Sequence, residues 1–253
     1  MDMGLQDKVA IVTGAGGAGI GNAIALALAK EGAHVVTNDI QKDLADQAAE
    51  QVKERGVRSL ATYADVTSLD STNDMAKQTL AAFGRIDILV TIPYFNPMTR
   101  FMDETEDDWH KTMNITFFGV VNAARSVLPA MIDQKGGSII GLGSDAGRVG
   151  ESRMVMYGVA KAAIMNFVKG LSKEVSRFGV RLNVVSPGTT RTPRTESVGM
   201  FTPDMEARLT KMYPLRRLGR TDDIADTVVF LASDRASWIT GQTLSVSGGY
   251  AMV

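Results

Sequence analysis

Short apolar runs alternate with longer helical segments along almost the whole chain, and this alternation constrains the fold more than any other feature. Residues 8–13 (KVAIVT), 34–39 (HVVTND), 58–64, 86–92 (RIDILVTI from 85), 136–143, 180–186 and 242–247 read as strands. Between them, residues 18–30, 43–55, 69–83, 105–132, 155–178 and 221–232 read as helices, four of them followed closely by Gly32, Gly56, Gly84 or Gly179. Several strands are apolar at odd and even positions alike, so both of their faces must be covered, as in a parallel sheet flanked by helices. The expected fold is α/β, a doubly wound parallel sheet of about seven strands with helices on both faces.

No solenoid period and no long Pro/Gly/Ser linker interrupts the pattern, so residues 1–253 read as a single domain. One stretch, 188–220, is irregular and carries Pro193, Pro203 and Pro214, with a short helix expected over 203–212. A long insert of this kind in a compact domain suits a substrate lid. With 27 basic against 28 acidic side chains the net charge is −1. No global basic field exists to attract nucleic acid or an anionic membrane, and neither is an expected partner. Cysteine is absent, and His34 and His110 lack ligand spacing, so no metal site is expected. The N-terminus has no basic segment followed by an apolar run, and the apolar stretch 9–13 is too short to span a bilayer. A soluble cytoplasmic protein is expected.

The first strand runs into Thr13-Gly14-Ala15-Gly16-Gly17-Ala18-Gly19-Ile20-Gly21 and then a helix. Glycines let a backbone turn sharply and come close to a phosphate. The helix N-terminus adds free N–H groups and a partial positive charge. A strand, this turn and a helix in that order point to a Rossmann-like dinucleotide site. Asp39 ends the second strand, 18 residues after Gly21. A carboxylate there can accept both ribose hydroxyls and repel a 2′-phosphate, which favours NAD over NADP. Lys42 is the nearest cation. Asp65 and Val66 follow the third strand, where they can flank adenine, or Asp65 can cap the turn at Thr67-Ser68.

Tyr157 and Lys161 sit at i and i+4 on a helix, on one face. A free phenol has a pKa near ~10, and a neighbouring cation is expected to lower it. Tyr157 can then take the proton of an alcohol or return one to a ketone. Ser144 lies 13 residues before Tyr157, just past a strand. Its hydroxyl can hold a substrate oxygen, or it can merely cap the turn Ser144-Asp145-Ala146-Gly147.

Taken together, the glycine turn, Asp39, Asp65, Ser144, Tyr157, Lys161, Pro187-Gly188 with Thr192, and the C-terminal Gly241-Gln242 and Ser247-Gly248-Gly249 resemble the short-chain dehydrogenase/reductase family over essentially the whole chain. The resemblance implies an oxidoreductase of the alcohol dehydrogenase or ketoreductase type. Ser144 would position the substrate oxygen, Tyr157 would be the acid/base, and Lys161 would bind the nicotinamide ribose and tune the tyrosine. It implies cofactor contacts from Gly14, Gly19, Ile20, Gly21, Asp39, Ile40, Asp65, Val66, Tyr157, Lys161, Pro187, Gly188, Thr190 and Thr192. It also implies a homotetramer, joined through long helices and the C-terminal strand.

The chain departs from the family pattern in three places. The glycine turn is one residue longer than usual. The fourth strand leads into Thr91-Ile92-Pro93-Tyr94 where the family has Asn-Asn-Ala-Gly, so that side of the pocket is expected to be rearranged. Counting from Trp109 and from Gly119, Thr116 takes the position of the family's catalytic asparagine, while Asn114 is expected to point elsewhere on a helix. These departures keep two other readings open: a dinucleotide-binding protein without redox activity, and a lyase or dehalogenase that needs no cofactor. Around the expected pocket, Tyr94, Phe95, Pro97, Met98, Met154, Met156, Met200 and Phe201 suit a flexible apolar ligand. Arg148, Arg153, Arg191 and Arg194 can pair with an anionic group on it, or be solvated. A medium-sized ketone or alcohol is expected, cyclic or thioester-linked.

Overall fold

The computed structural model describes residues 2–252 except 198 and 200, and all their side chains except that of Arg194. Met200 and the Arg194 side chain therefore lie outside the described residues. The chain begins as β1 (Val9–Thr13), α1 (Ile20–Lys30), β2 (His34–Asn38), α2 (Lys42–Lys53), β3 (Ser59–Thr62), α3 (Leu69–Phe83) and β4 (Ile88–Thr91). It continues as α4 (Glu106–Thr112), α5 (Gly119–Asp133), β5 (Gly137–Leu142), α6 (Ala146–Val149), α7 (Val155–Val175) and β6 (Val180–Pro187). The last part holds β7 (Thr190–Arg191), α8 (Pro193–Ser197), α9 (Pro203–Met212), β8 (Gly219–Arg220), α10 (Thr221–Ala232) and β9 (Thr243–Val246).

Seven strands form one parallel sheet in the order β3-β2-β1-β4-β5-β6-β9. The chain builds outward from β1 to β3, then returns to lay β4 on the other side of β1. The carboxyl ends of β1 and β4 thus diverge into loops on opposite faces, and a crevice opens between them. Both faces of the sheet are buried, which is why strand residues are apolar at consecutive positions. Ala10, Val12, Val35, Val90 and Ile140 pack with Ile24 and Leu28 of α1 and Ile224 and Val228 of α10. Ile11, Val36, Leu89 and Ile139 pack the other way, against Val120, Val127 and Met131 of α5 and Ile164 and Val168 of α7. The run 106–133 is long and apolar enough by composition to cross a bilayer. Its apolar character has a local cause, since Val120, Ala123, Ala124, Val127 and Met131 are all buried under the sheet.

Local signals set the helix ends. The Ser68 hydroxyl caps α3 by accepting from Ser71 N–H, and Gly84 closes that helix at φ 76°. Thr105 and Asp108 form a reciprocal capping box at the start of α4. The structure differs from the sequence reading in one long helix. Residues 105–132 are two α-helices joined by a π-helical turn, Met113–Phe118. The described residues of 188–220 are more regular than an irregular insert. They hold α8, the expected helix α9, and the short parallel pair Thr190↔Gly219 and Arg191↔Arg220 that ties the two ends of the stretch together.

Candidate active site

At the carboxyl end of β1 the chain must reverse within a few residues. Gly14 and Gly17 do so at φ 71° and 69°. A Cβ on Gly21 would lie 2.0 Å from the Gly14 carbonyl oxygen, so α1 can start this close to the turn only with glycine there. The first turn of α1 carries no acidic side chain, and its N-cap is Gly19, without a side-chain cap. Its N–H groups are left for an anion, with the positive end of the helix dipole behind them.

A cavity of about 860 Å³ opens in front of this turn. Gly14, Gly19, Ile20, Gly21, Asp39, Ile40, Asp65, Val66 and Thr192 line it, nine of the residues expected from the sequence. The Asp39 carboxylate accepts from the N–H of Gly16 at 3.1 Å and of Gln41 at 3.0 Å, which fixes it at the cavity edge. Lys42 is turned to Asp46 at 2.6 Å and to the Tyr63 hydroxyl at 3.2 Å. The hydrogen bond it donates to the Asp46 carboxylate, above all, pushes the Lys42 ammonium up to about 12. The Asp65 carboxylate accepts from the Thr67 N–H and hydroxyl. It therefore caps its turn while lining the cavity, and the two readings of it are compatible.

Sequence reasoning missed other parts of the wall. Asn114, expected to point away, lines the cavity with Ile115, Asp107 and Lys111. A π-turn adds a residue to the helical repeat and rotates every position beyond it, which α-helical counting cannot see. Thr116 is fully buried and does not line the cavity; its hydroxyl accepts from Phe95 N–H at 3.0 Å. Ile92, Pro93 and Tyr94 form the wall beyond β4. Just before them, the buried Thr91 hydroxyl finds no hydrogen-bond partner among the described residues.

A second cluster lies beyond β5 and on α7. Close packing positions it. A Cβ on Gly147 would lie 2.7 Å from Ala162 N, and one on Gly158 would lie 2.9 Å from the Ala146 carbonyl oxygen. The turn after β5 is thus pressed onto α7, and the Ser144 hydroxyl meets the Tyr157 phenol in a hydrogen bond. Lys161 is buried, and its ammonium donates to the Leu142 carbonyl at 2.6 Å. It stands 5.6 Å from the centre of the Tyr157 ring.

The electrostatics reverse the sequence expectation that Lys161 lowers the Tyr157 pKa. Loss of solvent pushes the phenol well above its usual value; the Ser144 hydrogen bond opposes this and the Tyr94 phenol adds to it. Burial also pulls the Lys161 ammonium down to about 7. Lys161, itself costly to keep charged, does not offset that rise.

Tyr157, Lys161, Ser144, Pro187, Gly188 and Thr190 are not part of the cavity wall. The turn after β6 stands on backbone contacts: Pro187 O accepts from Asp145 N–H, Gly188 N–H donates to Val246 O, and the Thr190 hydroxyl donates to Gly188 O. Tyr94 bridges the two clusters. It lines the cavity, and its ring lies 5.7 Å from that of Tyr157 in an edge-on arrangement. Two of the arginines expected near substrate are engaged elsewhere. Arg148 donates to Thr243 O and the Ser245 hydroxyl, and Arg191 pairs with Glu196 and Glu206.

A family model described as enoyl-(acyl carrier protein) reductase matches residues 14–251. A 3-oxoacyl-[acyl-carrier-protein] reductase (FabG) of Staphylococcus epidermidis is 36% identical over 248 residues, 98% of this chain and 100% of its own. The (2S)-[(R)-hydroxy(phenyl)methyl]succinyl-CoA dehydrogenase subunit BbsD of Thauera aromatica is 35% identical over 251 residues, 99% of each chain. A 7α-hydroxysteroid dehydrogenase, solved with NADH and 7-oxo glycochenodeoxycholic acid, superposes with a TM-score of 0.92 at 33% identity, covering 98% of this chain and 96% of its own. With oxidoreductases matching it end to end, and with a tight glycine turn and a Ser144–Tyr157–Lys161 cluster on a seven-stranded parallel sheet, this chain belongs to the short-chain dehydrogenase/reductase family.

Proposed function

We propose that this oxidoreductase interconverts a secondary alcohol and a ketone with NAD(H), and that Tyr157 is its acid/base. The observation that carries the cofactor choice is Asp39, a carboxylate clamped by two backbone N–H groups at the rim of the cavity. Held there, it favours two ribose hydroxyls over a 2′-phosphate, and Lys42, which could answer a phosphate, is committed to Asp46. The fit to a dinucleotide rests on the glycine cradle and the uncapped start of α1, with Asp65, Val66 and Ile40 on the adenosine side.

When bound, nicotinamide supplies or accepts the hydride. The chain's own residues handle the proton. Ser144 holds the substrate oxygen and orients the Tyr157 hydroxyl. A phenol that keeps its proton is set to donate it, the role that ketone reduction needs. Lys161 holds the nicotinamide ribose, and Pro187, Gly188, Thr190 and Thr192 bound the carboxamide side. Thr116 serves this site through the backbone it hydrogen-bonds. The segment 188–220, with α8 and α9, is the substrate lid.

The substrate class is a medium-sized ketone or alcohol, cyclic or thioester-linked, in keeping with Tyr94 on the cavity wall, Phe95 against Lys111 of that wall, and the names of the relatives. Phe118, Val155 and Val159 stand exposed on the helices, and Leu244 and Met252 near the C-terminal edge. These apolar faces suit a cytoplasmic homotetramer. A panel of secondary alcohols with NAD tests the reading: reduced nicotinamide, followed by its ultraviolet absorbance, should form with at least one and not in Tyr157→Phe. A second reading, dinucleotide binding without turnover, draws on Tyr94 standing between the cavity and Tyr157. It would prevail if NADH bound and no alcohol or ketone reacted.

A further inference from the structure

We propose that the Tyr94 side chain is a gate between the dinucleotide cavity and the Tyr157–Lys161 pair, and that Thr116 is the positioning residue that holds the gate's hinge still. This rests on the dinucleotide reading above and adds a route by which the two halves of the site connect.

The backbone is held on both sides of Tyr94. On one side of Tyr94, Pro93 has its φ restricted by its own ring. That ring also abuts the glycine turn: a Cβ on Gly14 would lie 3.3 Å from it. On the other side, Phe95 N–H is tied to the buried Thr116 hydroxyl at 3.0 Å, and the Phe95 ring lies under the Lys111 ammonium at 4.3 Å. The main chain is therefore clamped before and after Tyr94. What remains free is the side chain, which is 56% exposed.

Its present position lies between the two halves of the site. The ring lines the cavity on one side. On the other it lies edge-on to Tyr157, with the Lys161 ammonium 5.9 Å from its centre, while neither Tyr157 nor Lys161 lines the cavity. A ligand filling only the phosphate and adenosine part of the cavity leaves Tyr94 where it is. A ligand long enough to reach Lys161 must displace the ring. An exposed side chain can do this by a rotamer change alone, without moving a loop. The closed ring thus lowers the apparent affinity for the longer ligand by the fraction of molecules in which it is open.

The test compares two ligands, ADP, which stops short of Lys161, and NADH, which reaches it, by calorimetric titration. In Tyr94→Gly, NADH should bind about 2- to 10-fold more tightly, the factor that one lost ring–ring contact corresponds to. ADP should be unchanged. Tyr94→Phe should behave as the wild type, because the ring and not the hydroxyl closes the passage. Thr116→Val, which frees the Phe95 N–H, should shift the NADH-to-ADP ratio in either direction, whereas Thr116→Ser should restore it. In the Tyr94→Gly background Thr116→Val should have no further effect on that ratio. An unchanged ratio in Tyr94→Gly overturns the gate, and additive effects of the two substitutions overturn the role of Thr116. If wild-type protein binds neither ligand, the dinucleotide reading itself falls, and the gate with it.

Discussion

Lys161 offers the most exacting check on the electrostatics of this site, because its penalty is written into the stability of the protein. The side chain is 2% exposed, and among the described residues its ammonium has one hydrogen-bond partner, the Leu142 carbonyl. Burial takes its pKa from 10.5 to about 7. In the unfolded chain the amine binds a proton as pH falls through 10.5, but in the folded protein only near 7. Between those values the unfolded state holds the extra proton, so the contribution of Lys161 to stability is fully present above 10.5 and is lost as pH falls to 7. At 1.36 kcal/mol for each unit, the whole span amounts to about 4–5 kcal/mol. Lys161→Met keeps much of the volume and removes the titration. Urea unfolding of the ligand-free protein and this variant, at two pH values two units apart inside the window, isolates the effect. The wild type should gain about 3 kcal/mol on the variant in going to the higher pH. A stability difference that stays flat with pH, or that moves the other way, would refute the claim that burial dominates at Lys161.

Three further outcomes are expected. Tyr157→Phe should lower turnover by a factor on the order of 10² to 10⁴ and leave NADH affinity within about twofold, because the ring stays and only the transferable proton goes; equal losses in affinity and turnover would count against an acid/base role. Asp39→Asn should weaken NADH by about 10- to 100-fold, the worth of charged hydrogen bonds, and narrow its advantage over NADPH; calorimetry with both cofactors would expose an Asp39 that has no part in the choice. Gly21→Ala places a methyl group 2.0 Å from the Gly14 oxygen. The overpacking should cost about 1–3 kcal/mol and abolish ADP binding, and a variant with unaltered melting temperature and ADP affinity would contradict the tight turn.

Much of the architecture was readable because its causes are local. Consecutive apolar residues in 9–13 and 88–91 reflect burial on both faces, and both segments are strands with every residue buried. The glycines at 14, 17 and 21 answer a steric demand within one turn. The pairing of Tyr157 with Lys161 on one helix face needs nothing beyond the helical repeat. The π-turn at Met113–Phe118 was not readable. Its residues are ordinary helix and core types, and the extra residue is accommodated by packing of this segment against α4, α5 and α7.

By itself, then, the amino-acid sequence determined the order of strands and helices, the tight glycine turn before α1, and the placing of Tyr157 and Lys161 on one helix face, since each depends on neighbours a few residues away. The tertiary structure alone decided how those side chains behave. Lys161 is lowered because α7 and the turn after β5 shut water out from it, and Tyr157 is raised because the same packing leaves it only partly exposed. Asn114 reaches the cavity because a π-turn shifts the helical count, Arg148 is held by Thr243 and Ser245 far along the chain, and Arg191 is held by Glu196 of α8 and Glu206 of α9. Tyr94 comes to rest against Tyr157, 63 positions later in the chain, through the meeting of β4 and β5 in the sheet. Desolvation and contact depend on everything that surrounds a group in space, and a linear pattern records only its neighbours along the chain.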